Sequence, residues 1–335
     1  MQVAREHLKC ADTMSFVSII IPTFNREKQL YKAIQSILTQ SYKDFELIVI
    51  DNGPSTDNTE NVVKSFSQND TRIIYISTIL KGCIFARNIG AENAKGEILL
   101  TLDDDIEFIE PGTLRKLVRT YKEDSSVGIV GGIELRAPDQ VVKKRGQSPL
   151  PPETGRISAK GEFNTSFSLT EGYGITEVDH VRSAFMAVRK DIFKKVGGFD
   201  EIYNACGMGF RYESDLCLKV QRSGYKVVVN PEIKIWHKGS IRLRGFTRGK
   251  SLKYFFYANR NHLFFMRRFF WQTNSFRHFF KDILIGCYRT PGIISCFKRL
   301  LSEKNLIWLP YTFAAVFGKI NGYMRYANKK NPDYL

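Results

Sequence analysis

Residues 16–52 read F-V-S-I-I-I-P-T-F-N-R-E-K-Q-L-Y-K-A-I-Q-S-I-L-T-Q-S-Y-K-D-F-E-L-I-V-I-D-N. A β-branched run at 17–21, stopped by Pro22, predicts a buried strand, and residues 27–40 carry apolar side chains at helical spacing. A second apolar run at 45–50 predicts another strand. This stretch is therefore predicted to form a strand–helix–strand unit, which is the building block of a parallel sheet.

The same alternation continues along the chain. Further strands are predicted at 72–76, 97–102, 127–130, 183–188, 226–229 and 233–236, with helices at 59–66, 84–94, 111–121, 190–196 and 214–222. Continuously apolar strands that alternate with amphipathic helices are typical of a mostly parallel sheet covered on both faces. The predicted fold class is therefore α/β, and ligands of such sheets bind beyond the carboxyl ends of the strands.

The net charge of +16 is unevenly distributed along the 335 residues. Residues 236–335 contain 19 Lys and Arg against 3 Asp and Glu, so the totals of 50 and 34 leave 31 of each in the rest of the chain. The same 100 residues hold 23 of the 43 aromatic side chains. Such a segment is typical of a surface that meets an anionic partner. We expect a leader at 1–15, a main α/β domain at 16–240 and a basic amphipathic helical region at 241–335.

Cysteines and apolar stretches bear on the location of the protein. The six cysteines are scattered without a C-x-x-C pair, and the amino terminus shows no secretory signal, which favours a reducing compartment. The longest apolar stretch, 306–317, is shorter than the roughly 20 residues that span a bilayer. We therefore expect a cytoplasmic protein without a transmembrane helix.

Three adjacent carboxylates, Asp103, Asp104 and Asp105, follow the strand predicted at 97–102. Neighbouring carboxylates repel one another unless a cation or protons neutralise them. Magnesium and manganese take oxygen ligands and keep positions for substrate phosphates, so this turn fits a metal–diphosphate site. A solvated acidic turn is the alternative interpretation of D-D-D taken by itself.

Six short motifs occur in a definite order. They are V-S-I-I-I-P-T-F-N-R at 17–26, I-D-N-G at 50–53, A-R-N-I-G at 86–90, L-D-D-D at 102–105, G-G-F-D-E at 197–201 and Y-E-S-D-L at 212–216. In this order they resemble the family-2 glycosyltransferases of the GT-A fold, over about residues 16–240. The resemblance implies a nucleotide-binding sheet flanked by helices. It also implies a hexosyltransferase that uses a nucleotide-sugar donor and a divalent metal, Mn2+ or Mg2+.

The resemblance further implies a set of donor-binding residues. Pro22, Thr23 and Asn25 would line the nucleotide pocket, and Asp51 would contact the base. Turn formation or helix capping is the alternative for Asn25 and Asp51. Arg87 would lie near the donor phosphates or the sugar, where its planar guanidinium fits, or would be an ordinary surface arginine of a helix.

The metal ligands implied by the resemblance come from the acidic triplet and one histidine. Asp105 would bind the metal directly, Asp103 would face the ribose or the metal, and Asp104 belongs to the donor-binding set. His237 follows the strand predicted at 233–236 and would complete the metal shell. A structural role is the alternative for a lone histidine.

Sugar transfer also needs a base that accepts the proton of the acceptor hydroxyl. Glu213 occupies the acidic catalytic position of the family, whereas Asp215 is the alternative base or an N-terminal helix cap. The resemblance, together with a single base and no nucleophile suggested by the sequence, implies inversion. The Q-x-x-R-W signature of processive relatives is absent, so we expect one sugar to be added per encounter.

The basic terminal region predicts an amphipathic helix. Its apolar positions are Phe276, Phe279, Phe280, Ile283, Leu284 and Cys287. Such a stripe often packs on a core. Here the clustered aromatic and basic residues favour an anionic membrane surface, with the protein peripheral on the cytoplasmic face and acting on a lipid-linked saccharide.

Two other interpretations compete with a transferase. One is a nucleotidyltransferase, which shares the alternating elements and the metal carboxylates. The other is a non-catalytic protein on a degenerate transferase fold that binds anionic lipid or nucleic acid through its basic region. No nucleic-acid partner is expected, because the stripe of bulky Phe, Ile and Leu side chains suits an acyl boundary better than a base stack.

Overall fold

The protein was analysed as a computed structural model. It describes residues 16–135, 154–163, 167, 173–204, 209–238, 251–271, 275–287, 290–306 and 308–328. The predicted leader lies outside the described residues, as does the predicted boundary near residue 240.

Nine strands and ten α-helices make up the described chain. The strands are β1 (Val17–Thr23), β2 (Phe45–Asn52), β3 (Ile73–Thr78), β4 (Ile98–Leu102), β5 (Ile106–Phe108), β6 (Val127–Leu135), β7 (Thr176–Glu177), β8 (Phe185–Arg189) and β9 (Lys226–His237). The helices are α1 (Glu27–Leu38), α2 (Thr59–Ser67), α3 (Cys83–Asn93), α4 (Thr113–Glu123), α5 (Lys190–Lys195), α6 (Tyr212–Arg222), α7 (Leu252–Phe269), α8 (Ser275–Leu284), α9 (Ile293–Glu303) and α10 (Trp308–Asn328).

All nine strands belong to one sheet, in the order β3-β2-β1-β4-β8-β6-β9-β5, with β7 on β9. The strands β3, β2, β1 and β4 are parallel, whereas β8 runs antiparallel to both β4 and β6. The predicted α/β class is confirmed. The sheet is mixed, because its second half contains antiparallel pairs that apolar runs in a sequence cannot distinguish from parallel ones.

Helices cover both faces of the sheet. Successive residues of a strand point to opposite faces, so one strand packs against both layers of helices. On β1, Ile19 and Ile21 pack with side chains of α1, α2 and α4. Ile20 points the other way and belongs to a cluster with side chains of α3, α5, α6 and α7. The carboxyl ends of β1, β2 and β4 lie side by side at one edge of the sheet, because these strands are parallel neighbours.

The described part of the basic terminal region is mainly helical and packs against this domain. Two glycines of α10 allow a close approach to α7: a Cβ at Gly318 would lie 2.3 Å from the Phe256 carbonyl oxygen, and one at Gly322 would lie 2.2 Å from that of Arg260. Side chains of α7 are in turn part of the domain core. No described helix combines the length and the apolar composition that a bilayer crossing requires.

Candidate active site

A short strand that the sequence did not reveal brings the acidic triplet to a histidine. After β4 the chain turns through residues 103–105 and enters β5, which pairs antiparallel with β9 so that Ile106 lies opposite His237. Ligand atoms of Asp103, Asp105 and His237 all lie within 4.8 Å of one another. The three side chains proposed as metal ligands are therefore gathered at one point on the sheet edge.

Arg26, which follows the first strand, neutralises part of this acidic cluster. Its guanidinium donates to the carboxylate of Asp104, and its Nη2 lies 3.1 Å from Asp105 Oδ2. Thr23 adds a hydrogen bond, with its Oγ1 donating to Asp104 Oδ2 at 2.9 Å. The first strand and the acidic turn are thus joined by direct side-chain contacts across the sheet edge.

The environments of two adjacent carboxylates push their pKa values apart. Burial raises the pKa of Asp104 to about 7, with Asp105 and Asp103 acting in the same direction and Arg26 opposing them. Burial also acts to raise the pKa of Asp105, but His237 and Arg26 outweigh it and lower the pKa to about 2. Asp105 is therefore held as an anion, as a metal ligand must be.

A second carboxylate orients the histidine. Glu134 Oε2 lies 2.9 Å from His237 Nδ1 and 2.8 Å from a guanidinium nitrogen of Arg182. Burial acts to lower the pKa of His237, but Asp105 and Glu134 raise it to about 10. Carboxylates commonly hold a metal-binding imidazole in this way. Metal binding at His237 competes with a proton, because only the neutral ring is a ligand.

The donor set fits a divalent metal. Asp105 Oδ1 is buried and finds no hydrogen-bond donor among the described residues, and it lies 3.4 Å from His237 Nε2. A buried carboxylate oxygen without a donor is costly unless a cation meets it, and the neighbouring His237 ring supplies that charge only while it is protonated. Carboxylates suit both magnesium and manganese, whereas imidazole favours manganese.

Arg87 is buried beside this cluster and is not a surface arginine. Its side chain is 1% exposed, and Nη2 donates to Asp103 Oδ1 at 2.6 Å. The guanidinium also lies over the Tyr212 ring, 5.8 Å from the centroid. Burial disfavours its charge, but Tyr212 and Asp103 hold the pKa of Arg87 above its usual value. The Arg87 guanidinium is therefore a positive charge held in place at the acidic turn.

Asn25 and Asp51 shape the loop that follows β2. Thr56 N donates to Asn25 Oδ1 at 2.7 Å, and Asn25 has a positive φ of 52°. Asp51 accepts from Ser55 and from the Tyr75 hydroxyl, which lies 2.9 Å from Oδ2. These contacts correspond to the turn-forming alternative; a direct contact of either residue with a nucleotide stays a prediction.

Pro22 and Thr23 are buried at the carboxyl end of β1. Their position beside the acidic turn comes from the parallel pairing of β1 with β4. Both lie at the edge where α/β sheets bind ligands. That they line a nucleotide pocket stays a prediction.

Glu213 is anchored to the same edge by a serine. The antiparallel pairing of β8 with β4 places Phe185 opposite Leu102, so Ser183 lies near the start of the acidic turn. Ser183 donates to Glu213 Oε1 from its backbone nitrogen at 3.1 Å and from its hydroxyl at 3.0 Å. The same hydroxyl contacts the hydroxyl of Tyr212. Glu213 itself remains partly exposed.

Asp215 has a different environment. Its side chain is 0% exposed, and Oδ1 accepts from the Tyr203 hydroxyl at 2.9 Å and from Arg268 at 2.8 Å. Lys219 Nζ lies 3.3 Å from Oδ2. Helix α6 begins at Tyr212 without a side-chain cap, so Asp215 does not cap it. These contacts favour Glu213 over Asp215 as the group that meets an acceptor.

Three residues at this site were missed at the level of sequence: Arg26, Glu134 and Ser183. Arg26 could have been noticed as the basic end of the first motif. Glu134 and Ser183 carry no local signal, because their partners lie 103 and 30 residues away.

The serine contact predicts a specific kinetic effect. Ser183→Ala removes one of the two hydrogen bonds that orient Glu213, and a hydrogen bond to a charged group contributes about 1.5–3 kcal/mol. We expect kcat to fall about tenfold or more while KM for the donor stays unchanged. Steady-state kinetics measures both values. Ser223→Ala, which removes a hydroxyl from the far end of α6, is the control, and an unchanged kcat in Ser183→Ala would contradict the positioning role.

The fold and the site are those of a glycosyltransferase of the GT-A type. The sequence profile "Glycosyl transferase family 2" matches residues 18–197, which is more than half of the chain. The chain therefore belongs to glycosyl transferase family 2.

Characterised relatives match parts of this chain. A glucosyl-dolichyl phosphate glucuronosyltransferase of Haloferax volcanii is 25% identical over 232 residues, covering 66% of this chain and 69% of the relative. A GalNAc(5)-diNAcBac-PP-undecaprenol beta-1,3-glucosyltransferase of Campylobacter jejuni is 40% identical over 112 residues, covering 33% and 36%. For some relatives the match covers only a small part of the relative's own length, in one case 16%.

A solved structure supports the fold. The mannosyltransferase PcManGT from Pyrobaculum calidifontis, in complex with GDP-Man and Mn2+, aligns with a TM-score of 0.52 at 16% identity. The alignment covers 99% of this chain and 84% of that one.

Proposed function

We propose that this chain is a metal-dependent, inverting glycosyltransferase that moves one sugar from a nucleoside-diphosphate sugar to a lipid-linked saccharide. The observation that supports it most is the gathering of Asp103, Asp105 and His237 on the sheet edge, with Glu213 anchored to the same edge. A bound Mn2+ or Mg2+ would stabilise the negative charge that develops on the departing diphosphate.

The chain's own residues account for donor binding and proton transfer. Arg87 holds Asp103 in place and adds a buried positive charge near the diphosphate. Glu213, partly exposed and held by Ser183, accepts the proton of the acceptor hydroxyl. A base that activates the acceptor opposite the leaving group gives inversion, because attack and departure occur on opposite faces of the sugar.

The acceptor is inferred from the relatives and from the terminal helices. Two relatives carry names that describe dolichyl-phosphate or undecaprenol-diphosphate saccharides. We propose an acceptor of the same chemical class, a saccharide on a polyprenyl phosphate or diphosphate. The protein would then work as a peripheral protein at the cytoplasmic face of a membrane.

Product stereochemistry tests the proposed mechanism. With a donor of known anomeric configuration, NMR of the first-formed product is expected to show the opposite configuration in the new linkage. A product with the configuration of the donor would contradict the assignment of Glu213 as a single base. Such a product would not contradict the proposed metal-dependent donor site.

A further inference from the structure

Exposed apolar side chains concentrate on the last three helices. Of the 22 large apolar side chains that are exposed among the described residues, 14 lie between 276 and 324. Twelve of these 14 lie on the helices themselves, where they recur at helical spacing and make one stripe per helix. The stripes are Phe276, Phe280 and Leu284 on α8; Ile293, Ile294, Phe297 and Leu301 on α9; and Leu309, Phe313, Phe317, Ile320 and Met324 on α10.

Other side chains hold these helices together, so the stripes are not needed for that purpose. Lys319 of α10 is fully buried, and its Nζ lies 2.7 Å from Asp282 Oδ2 of α8 and 3.1 Å from the Thr290 carbonyl oxygen. The rings of Phe279 and Tyr323 lie 4.3 Å apart between the same two helices. The predicted apolar stripe of α8 is thus divided: Phe279 and Ile283, with Cys287 beyond the helix end, face inward, and the other three positions are exposed.

Exposed charges on the same helices are almost all positive. The exposed basic side chains are Arg277, Lys281, Lys298, Lys304 and Arg325. Asp282 is ion-paired with the buried Lys319. Glu303 is exposed, and its Oε2 accepts from Trp308 Nε1 at 2.8 Å. The apolar stripes are therefore accompanied by an excess of basic side chains.

We propose that the stripes of α8, α9 and α10 together form a membrane-inserting surface that enters the head-group and acyl boundary of an anionic bilayer. This surface rests on the proposed function, since a lipid-linked acceptor requires the active site to be held near a membrane. Large exposed apolar patches mark interaction sites. Basic and apolar side chains together match anionic head groups and acyl chains at once.

Charge favours a membrane over a second copy of the chain. Two copies meeting through this surface would bring like charges together, which disfavours association. Anionic lipid neutralises the same charges. Nucleic acid would also neutralise them, but it offers no apolar phase for Phe313 and Phe317, which are 64% and 60% exposed.

Flotation with vesicles tests the proposal on the full chain. The vesicles contain phosphatidylcholine alone or mixed with phosphatidylglycerol, and no acceptor. The wild type is expected to float with the anionic vesicles at low salt and less at high salt. The triple variant Phe297→Ser, Phe313→Ser and Phe317→Ser is expected to bind about a thousandfold or more weaker, since burial of each phenylalanine contributes about tenfold or more.

Matched variants separate the contributions. Ile109→Ser with Ile175→Ser removes exposed apolar side chains elsewhere and is expected to float like the wild type. Arg277→Gln with Lys281→Gln is expected to lose part of the preference for anionic over neutral vesicles, because it removes two of the five exposed basic side chains. Equal melting temperatures of all variants would show that each is folded.

Three results would contradict the proposed membrane-inserting surface. They are a wild type that stays unbound at low salt, a triple-serine variant that floats as well as the wild type, or a wild-type dimer that the triple variant converts to a monomer without any vesicle binding. Release of nucleoside diphosphate without an acceptor, measured in the same samples, reports on the active site alone. A catalytic failure with intact flotation would overturn the proposed function and not this surface.

Discussion

Asp105→Ala is expected to reduce sugar transfer about a thousandfold or more, even at saturating donor. The substitution removes the most enclosed of the three clustered side chains proposed to bind the metal, and its Oδ1 has no donor among the described residues. A metal at a departing diphosphate contributes several kcal/mol, and each 1.36 kcal/mol is about tenfold in rate. Initial rates across a range of Mn2+ concentrations measure the loss.

Two comparisons make this result specific. Binding of Mn2+, followed by electron paramagnetic resonance, should weaken in parallel with the rate. Asp44→Ala removes an exposed carboxylate just before β2 and should change neither quantity. Near-normal transfer by Asp105→Ala would contradict the metal mechanism.

Glu213→Gln is expected to lower kcat about a hundred- to ten-thousandfold while donor affinity is retained. Glutamine keeps the size of the side chain and can still accept the hydrogen bonds from Ser183, but it cannot take a proton at neutral pH. The melting temperature should stay close to that of the wild type, because Glu213 is partly exposed. Kinetics of transfer and isothermal titration with the donor measure the two effects.

Asp215→Asn provides the contrasting case. It removes the charge that Arg268 and Lys219 meet in the interior, and breaking a buried ion pair costs about 3–5 kcal/mol. We expect it to lower the melting temperature strongly. If Glu213→Gln turned over normally and a folded Asp215→Asn did not, the two roles would have to be exchanged.

Much of the sheet could be predicted because buried strands leave continuous apolar runs. β1, β2 and β4 were predicted to within about two residues of their observed bounds, which is the usual accuracy at element ends. The strand β5 was missed because three residues, directly after an acidic triplet, carry no measurable periodicity. The direction of β8 was equally invisible, since strand direction depends on connections across the fold.

The candidate site shows the same division. The resemblance to the family was enough to name Asp103, Asp105 and His237 together, but their proximity depends on the pairing of β5 with β9. Arg26 and Ser183 act on side chains far away in sequence, so only the folded chain reveals their contacts. Sequence periodicity correctly located the amphipathic helix α8, but packing against α10 decides which half of its apolar stripe is exposed.

The most direct measurement of the central claim is release of nucleoside diphosphate from a panel of nucleotide-sugars, with Mn2+ and after chelation of metal. We predict that at least one donor yields nucleoside diphosphate, that chelation abolishes the release and that added Mn2+ restores it. Release that is unaffected by chelation would contradict the metal-dependent site. Formation of pyrophosphate from a sugar phosphate and a nucleoside triphosphate, with no cleavage of any nucleotide-sugar in the panel, would replace this account with that of a nucleotidyltransferase.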